Sequence, residues 1–208
     1  MTNSAISVPF RAALGLCIAL GACGGGGGGG PSPGPDDLNA RYEIMRDALS
    51  SPNVFNTAFQ PPDNAVPASG NATFTGFVNL AATSVPEPLN LTGRARLEVD
   101  FGSRELTGSA TGFESETASA YGGSINFVNG RIGRDAPAPT TQQPNDVRLE
   151  YVGALVGDEK TITFAGTASG KLKGSPIRGL VAASPPGDTA TLNGSVIPVD
   201  FTLVAEKD

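Results

Sequence analysis

From Asn71 onward the chain alternates apolar and polar residues with a period of two, and no other feature constrains its fold as strongly. Between Leu91 and Phe101 the odd-numbered positions hold Leu, Gly, Ala, Leu, Val and Phe, whereas the even-numbered positions hold Thr, Arg, Arg, Glu and Asp. The segment Thr161–Lys173 repeats this pattern. Because successive side chains of a strand point to opposite faces, each segment predicts an antiparallel strand with one buried face.

Weaker runs of the same kind bring the number of predicted strands to eight. The predicted strands are 71–80, 91–101, 105–113, 124–132, 147–156, 161–173, 176–183 and 195–205. Tight turns are expected at Gly102-Ser103 and Gly157-Asp158. The longer loops are expected at 81–90, 114–123, 134–146 and 184–194.

Eight consecutive antiparallel strands with small residues on the apolar face predict an all-β fold, an eight-stranded antiparallel up-and-down β-barrel. A barrel of this size has an interior just wide enough for side chains to fill. The predicted barrel domain covers residues 69–208. Alternation alone is equally compatible with a β-sandwich, so that architecture stays open.

The first 22 residues are organised like a secretory signal peptide. A polar start ends at Arg11, and Ala12–Ala22 is an apolar run that falls short of the ~20 residues needed to span a membrane. The sequence Leu20-Gly21-Ala22-Cys23 resembles a bacterial lipobox, which implies cleavage before Cys23 and lipidation of Cys23. An ordinary signal peptide with a chance Cys is the alternative. Cleavage would remove Cys17, so no internal disulfide could form.

Two predicted segments separate Cys23 from the barrel. Residues 23–35 contain seven consecutive glycines followed by PSPGP, and such a run behaves as a flexible tether spanning about 20 Å. Residues 36–68 are expected to contain a short helix, ended by Pro52, and then an extended connector. An apolar stripe at helical spacing predicts that this helix packs on the barrel: Leu38, Tyr42, Met45 and Leu49.

Composition excludes several classes of function. The chain has no His, which rules out Ser-His-Asp and Cys-His catalysis and His-ligated metals or haem. Its net charge of −6 argues against nucleic-acid binding, which requires a basic surface. Aromatic residues make up 6% of the chain and Trp is absent, whereas a barrel that spans a membrane has aromatic girdles. We therefore expect a barrel held at a membrane by its lipid.

Four segments resemble the transferrin-binding-protein-B-like β-barrel lipoproteins, together with the lipobox and the glycine tether. They are Ala72–Gly76 (ATFTG), Leu91–Phe101 (LTGRARLEVDF), Leu106–Gly108 (LTG) and Thr163–Gly174 (TFAGTASGKLKG). The similarity covers about residues 69–205. It implies an eight-stranded barrel on the outer membrane of a Gram-negative cell, facing the cell surface or the periplasm.

Members of that family bind host iron or haem proteins, complement regulators or small solutes. The resemblance therefore implies a non-catalytic binding module for a protein or solute, monomeric and without a cofactor. Full transferrin-binding proteins have two lobes, each a barrel with a handle domain, whereas this chain has one barrel and a short helix. No transferrin-contact residue is carried over. A structural envelope lipoprotein without a soluble ligand is the alternative function.

Other residues with chemical potential have simpler interpretations. Asp100 and Asp200 are candidate paired carboxylates for glycoside chemistry, but polar positions at hairpin ends explain them better. Tyr151, on an apolar face, is predicted to be core, whereas Tyr121 is placed in a loop where it is a candidate haem ligand. Three basic residues are expected either on a solvated strand face or in contact with an anionic partner: Lys171, Lys173 and Arg178.

Overall fold

The computed structural model describes residues 37–50, 66–82, 88–133 and 144–208. The predicted signal peptide, Cys23, the tether and most of the connector lie outside the described residues. All of the described residues belong to one compact unit.

The described residues form one helix and ten strands in a single antiparallel sheet. The elements are α1 (Leu38–Ser50), β1 (Asn71–Ala82), β2 (Leu89–Asp100), β3 (Glu105–Ser115), β4 (Ala120–Ile132), β5 (Asp146–Gly157), β6 (Lys160–Lys173), β7 (Gly179–Ala183), β8 (Thr189–Leu192), β9 (Ser195–Pro198) and β10 (Asp200–Lys207).

The sheet closes on itself as the predicted eight-stranded up-and-down barrel. Consecutive strands β1 to β7 pair with their neighbours, and β10 pairs with both β7 and β1, which completes the ring. The pairing between β5 and β6 extends over both entire strands except for Lys173 and its neighbour Leu172. A single closed ring excludes the sandwich.

The last part of the barrel differs from the predicted strand boundaries. Two short strands lie beside β6 in place of one long strand, because Pro185-Pro186-Gly187 interrupts the chain between them. β7 therefore pairs with one half of β6 and β8 pairs with the other half. The predicted strand 195–205 divides at Val199 into β9 and β10, and the predicted loop 184–194 contains β8. Asn193 and Gly194 both have positive φ values, of 49° and 86°, and form the tight turn between β8 and β9. An Asn-Gly pair favours such a turn because both residues tolerate the left-handed region.

Two other predicted turns are shifted. Gly157 pairs with Lys160, so the β5–β6 turn consists of Asp158 and Glu159, not Gly157 and Asp158. The predicted loop 114–123 is wrong in extent, because β3 continues to Ser115 and β4 begins at Ala120. The β2–β3 turn contains Gly102-Ser103 as expected.

Large side chains fill the barrel interior. The ring of Tyr151 stacks on Phe201 with centroids 4.1 Å apart, and Phe127 meets the edge of Phe201 at 6.3 Å. Among the largest fully buried side chains, those on the sheet come from β1 to β5 and from β10: Tyr151, Phe74, Phe113, Phe127, Phe201, Leu80, Leu91, Leu97, Leu106 and Ile125. The interior is thus a packed core, as expected for eight strands.

The predicted helix α1 is confirmed, and it lies across the outside of the barrel wall. Leu38, Tyr42 and Leu49 are buried together with Phe77 and Val204, which point outward from β1 and β10. The Asn39 side chain accepts a hydrogen bond from Thr92 of β2 at 3.2 Å, while Leu49 packs on Gly179 of β7. Burial of each large apolar side chain under the helix contributes about 1.5–3 kcal/mol.

The helix therefore crosses the wall from one end of the barrel towards the other. We call the end formed by Ala82, Leu89 and Gly157 the entry end, because α1 begins beside Thr92 near it. We call the end formed by Asp100 and Lys173 the far end.

We expect the change Gly166→Ala to destabilise the barrel by about 1–3 kcal/mol, as for other overpacked cores. A Cβ at this position of β6 would lie 2.5 Å from the hydroxyl oxygen of Tyr151 and 2.5 Å from Oδ2 of Asp188. The Tyr151 ring and the Asp188 carboxylate would have to shift to make room for it. Urea unfolding followed by circular dichroism measures the change.

The matched control for Gly166 is Gly122→Ala on β4. A Cβ there would have its nearest neighbour, the carbonyl oxygen of Val156, at 3.9 Å. Its free energy of unfolding should stay within about 0.5 kcal/mol of the parent. Equal effects of the two substitutions would contradict the packing assigned to Gly166.

Candidate functional site

The two candidate catalytic carboxylates lie at opposite ends of the barrel. Asp100 pairs with Asn71 at the start of β1, whereas Asp200 pairs with Ala81 near its end. The separation of ten positions between these partners (81 − 71) corresponds to about 33 Å of strand. Paired glycosidase carboxylates lie about 5–9.5 Å apart, so these two do not form such a pair.

Asp100 has a structural role at the β2–β3 turn. Its Oδ1 accepts hydrogen bonds from the backbone N–H groups of Ser103 and Gly102, at 3.2 and 2.7 Å. These hydrogen bonds lower the pKa of the Asp100 carboxyl, and the bond from Ser103 is the larger cause. This arrangement agrees with the interpretation of Asp100 as a polar residue at a hairpin end.

Both candidate tyrosines are buried and donate to carboxylates. Tyr121 belongs to β4, not to the predicted loop; it is 3% exposed and its hydroxyl donates to Asp158 at 3.2 Å. Tyr151 is core, as predicted, with 1% of its surface exposed, and its hydroxyl donates to Asp188 at 2.5 Å. A ligand that needed either phenol oxygen would have to displace an aspartate and enter the packed core.

Tyr151 and Asp188 meet at the interruption of the barrel wall. Gly166 leaves room for the contact, and Asp188 also accepts the N–H of Thr189 at 2.9 Å, at the start of β8. Burial, and then the hydrogen bond and negative charge of Asp188, raise the pKa of Tyr151 far above its ordinary value. The pair therefore fastens the β8–β9 hairpin to the core while the phenol is neutral.

The far end of the barrel carries a small cavity of about 110 Å³. Its walls are mainly apolar, with Phe101, Ile132 and Val66 on them, and Arg104 supplies a guanidinium. Asn145 follows the wall residue Pro144; it is 2% exposed, and its Oδ1 has no hydrogen-bond partner among the described residues.

Basic residues surround this end of the barrel. Lys171 donates to Asp146 at 2.8 Å, so part of the predicted basic patch is neutralised within the sheet. Lys173 is half-buried beside it, and burial, followed by the charge of Lys171, lowers the pKa of Lys173. At the same end, an open groove of about 220 Å³ is lined by the basic residues Arg178 and Lys207 and by the acidic residue Glu206.

The entry end is more acidic than the far end. Its strand ends and turns carry the acidic residues Glu114, Glu116, Asp158, Glu159 and Asp200, together with Lys160, whereas the far end carries both basic residues and acidic ones such as Asp146 and Glu206. The sequence pattern indicated the net acidity but not this separation, because charges distant along the chain are brought together only by the alternating strand directions.

Two further findings concern metals and membranes. Within the described ranges, His, Cys, Asp and Glu side chains form no group of three or more arranged to hold a metal ion. The one helix that the structure describes is too short and too polar to cross a bilayer.

Comparison of the chain with protein-family models, curated proteins and solved structures found no match in any of the three. The inference of a function therefore depends on the fold and on the geometry of the two ends of the barrel.

We expect the stability of the barrel to fall above about pH 10, the ordinary tyrosine pKa. The raised pKa of Tyr151 means that the unfolded chain loses this proton before the folded chain does. The stability that this group contributes is thus fully present below pH 10 and is lost as pH rises towards the folded value. Urea unfolding at pH 7 to 11 measures the loss.

The comparison variant is Tyr151→Phe. At pH 7 it should be less stable by about 1–3 kcal/mol, because Asp188 loses a donor. Its stability should decline less steeply than that of the parent above about pH 10. Burial also raises the pKa of Tyr42, so a smaller alkaline decline should remain. Identical pH slopes in parent and variant would contradict the assignment to Tyr151.

Proposed function

We propose that this chain is an outer-membrane lipoprotein, anchored through Cys23, whose transferrin-binding-protein-B-like barrel is a non-catalytic binding module. In this proposal a protein or solute binds at the far end. The observation that carries it is the far end itself, which has a cavity containing Arg104 and, at the same end of the barrel, the half-buried Lys173 and a groove at Lys207.

The packed interior supports binding on the outside of the barrel. Side chains such as Phe127, Tyr151 and Phe201 occupy the space that a ligand would need. Loops at the ends of a rigid barrel are the usual location for binding residues. The resemblance to iron-acquisition lipoproteins makes an iron- or haem-carrying protein one partner class to test.

The position of α1 supports the choice of end. The described chain begins at Asp37, and the first turn of the helix lies beside Thr92 towards the entry end. A barrel held by a tether that joins α1 can present its far end away from the point of attachment. Arg104 in the cavity, and Arg178 and Lys207 in the groove that they share with Glu206, suit acidic groups on a protein surface by charge complementarity.

A structural envelope lipoprotein is the second candidate, and the size of the cavities favours it. The described cavities measure about 110, 220 and 270 Å³. Pockets for drug-sized ligands usually have about 300–1,000 Å³. A small solute would therefore be held weakly, and a protein partner or no soluble partner fits better.

We expect the change Cys23→Ser to move the protein from the membrane fraction to the soluble fraction or to leave it unprocessed. Membrane fractionation, and mass spectrometry of the amino terminus, measure this directly. Cys17→Ser is the matched control, because Cys17 lies upstream of the proposed cleavage site, and it should fractionate like the parent. Equal behaviour of the two variants would contradict the lipid anchor.

We expect Arg104→Gln or Lys173→Gln to weaken capture of a partner by the full chain. An arginine at the centre of an interface contributes about 2 kcal/mol, so retention should fall about thirtyfold. Lys160→Gln at the entry end is the control and should capture like the parent. The measurement is affinity capture from host fluids and periplasmic extract, beside protease treatment of intact cells to determine exposure.

If no partner is retained by the parent chain from either source, the structural alternative replaces the binding module. If a partner is retained equally by all variants, binding occurs elsewhere on the barrel and the far-end assignment is wrong.

A further inference from the structure

The chain contains two Asn-Gly pairs, Asn129-Gly130 and Asn193-Gly194. In such a pair the main-chain nitrogen of the glycine can attack the side-chain carboxamide carbon of the asparagine. The two groups are joined covalently and close a five-membered ring, so their effective concentration is high. Glycine favours the reaction because it has no Cβ to hinder the approach. The structure gives the two pairs opposite surroundings.

The Asn193-Gly194 pair lies in the tight turn between β8 and β9. Both residues are exposed, and their φ values are 49° and 86°. A Cβ added to Gly194 would have no neighbour within 4 Å. The main chain of this turn therefore has room to rearrange into a ring, and hydroxide and water reach it.

The Asn129-Gly130 pair is held inside the sheet. Gly130 is buried in β4 and pairs with Leu106 of β3, and a Cβ on Gly130 would overlap the carbonyl oxygen of Leu106. Nδ2 of Asn129 donates a hydrogen bond to Glu150 of β5 at 2.8 Å. Ring closure at Asn129 would thus break contacts with both neighbouring strands.

One contact restrains the side chain of Asn193. Its Oδ1 accepts a hydrogen bond from the N–H of Thr161 at 2.7 Å, and its own N–H donates to the carbonyl oxygen of Thr161 at 2.8 Å. The first bond polarises the carboxamide carbon that is attacked, but it also restricts rotation of the side chain. Because Asn193 and Thr161 are exposed, water can replace the Thr161 donor at little net cost. The contact therefore slows ring closure without preventing it.

We propose that Asn193 is a site of spontaneous deamidation in the folded barrel, with the nitrogen of Gly194 as the nucleophile. Hydroxide removes the proton of this nitrogen, which then attacks Cγ of Asn193. The N–Cγ bond forms and the Cγ–Nδ2 bond breaks. Nδ2 takes protons from water and leaves as ammonia, which regenerates the hydroxide. One water molecule then opens the cyclic imide at either of its carbonyl groups and gives aspartate or isoaspartate, and no atom is oxidised or reduced.

The two products have different effects on the hairpin. Aspartate keeps a side-chain oxygen that can accept the N–H of Thr161. Isoaspartate carries the main chain through Cβ, so the turn gains one bond and can no longer pair Leu192 with Ser195 in the same register. Ala190 and Ile197, which are buried in the hairpin, would then lose contacts with the core. Either product adds a negative charge to the entry end.

The test follows deamidation of the full chain at neutral and at mildly alkaline pH. Trypsin places the two pairs in separate peptides, because it cleaves after Arg131. Mass spectrometry then detects the gain of one mass unit at each asparagine. We expect the deamidated fraction at Asn193 to exceed that at Asn129 by about tenfold or more, because Asn129 reacts only when the sheet opens. The rate at Asn193 should rise with the hydroxide concentration.

Chemical unfolding supplies the matched control. In guanidinium chloride the two Asn-Gly pairs lose their different surroundings, so they should deamidate at similar rates. Far-ultraviolet circular dichroism checks that the barrel stays folded during the incubation without denaturant.

The variant Asn193→Asp separates the added charge from the change in the main chain. Hydrogen exchange of this variant in β8 and β9 should match that of the parent, because aspartate tolerates the left-handed region and can accept the N–H of Thr161. The isoaspartate form, separated by chromatography from the aged chain, should lose protection in these two strands.

Three outcomes would overturn the proposal or its consequence. Equal deamidation of Asn129 and Asn193 in the folded chain would show that the fold does not select between them. An unreacted Asn193 in the folded chain, over a period in which the unfolded chain reacts at both pairs, would show that the Thr161 contact locks the turn. Protection like that of the parent in the isoaspartate form would remove the effect on the hairpin. None of these outcomes bears on the lipid anchor or on the far end, so the proposed function is tested separately.

Discussion

Closure of the sheet is the constraint on which the rest of this structure depends. The last strand, β10, pairs with the first strand, β1. This pairing closes the ring and leaves the barrel without a long open edge in the described part. Both cysteines precede Gly24, so no disulfide can contribute to the barrel itself. Its stability must come from backbone hydrogen bonds and from the side chains that fill the ring.

Small residues of the strands lie opposite large side chains in the barrel interior. Gly93 lies against the ring of Phe113, and Gly166 lies against that of Tyr151, so each glycine makes room for an aromatic ring on a neighbouring strand. The second pair coincides with the interruption of the wall, where Asp188 reaches the tyrosine hydroxyl. A break that would weaken the barrel is thus stabilised by a partly buried hydrogen bond from the tyrosine hydroxyl to a carboxylate.

Much of the barrel could be predicted from alternation alone. In a half-buried strand such as 91–101, the apolar residues at every second position show which face of the strand points into the barrel. The Asn193-Gly194 turn was missed, although this dipeptide is the strongest local signal for a hairpin. Adjacent apolar residues at Phe77-Val78 also break the alternation, which indicates burial on both faces, but only the structure shows that α1 provides the cover. For the candidate sites, sequence spacing did not place Asp100 and Asp200 at opposite ends of the barrel, because their positions depend on strand register.

Because side chains fill the barrel, a partner can bind only at its outer surface. The helix α1 covers one side of that surface, so that the sides of the barrel differ. On one side the helix adds Arg41 and Ile44 to the wall, whereas β5 on another part of the ring exposes Val152 and Val156. The helix packs on β1, β2, β7 and β10, and the outer face of β5 remains exposed. A single helix laid across the strands thus determines which parts of the outer wall remain available for binding.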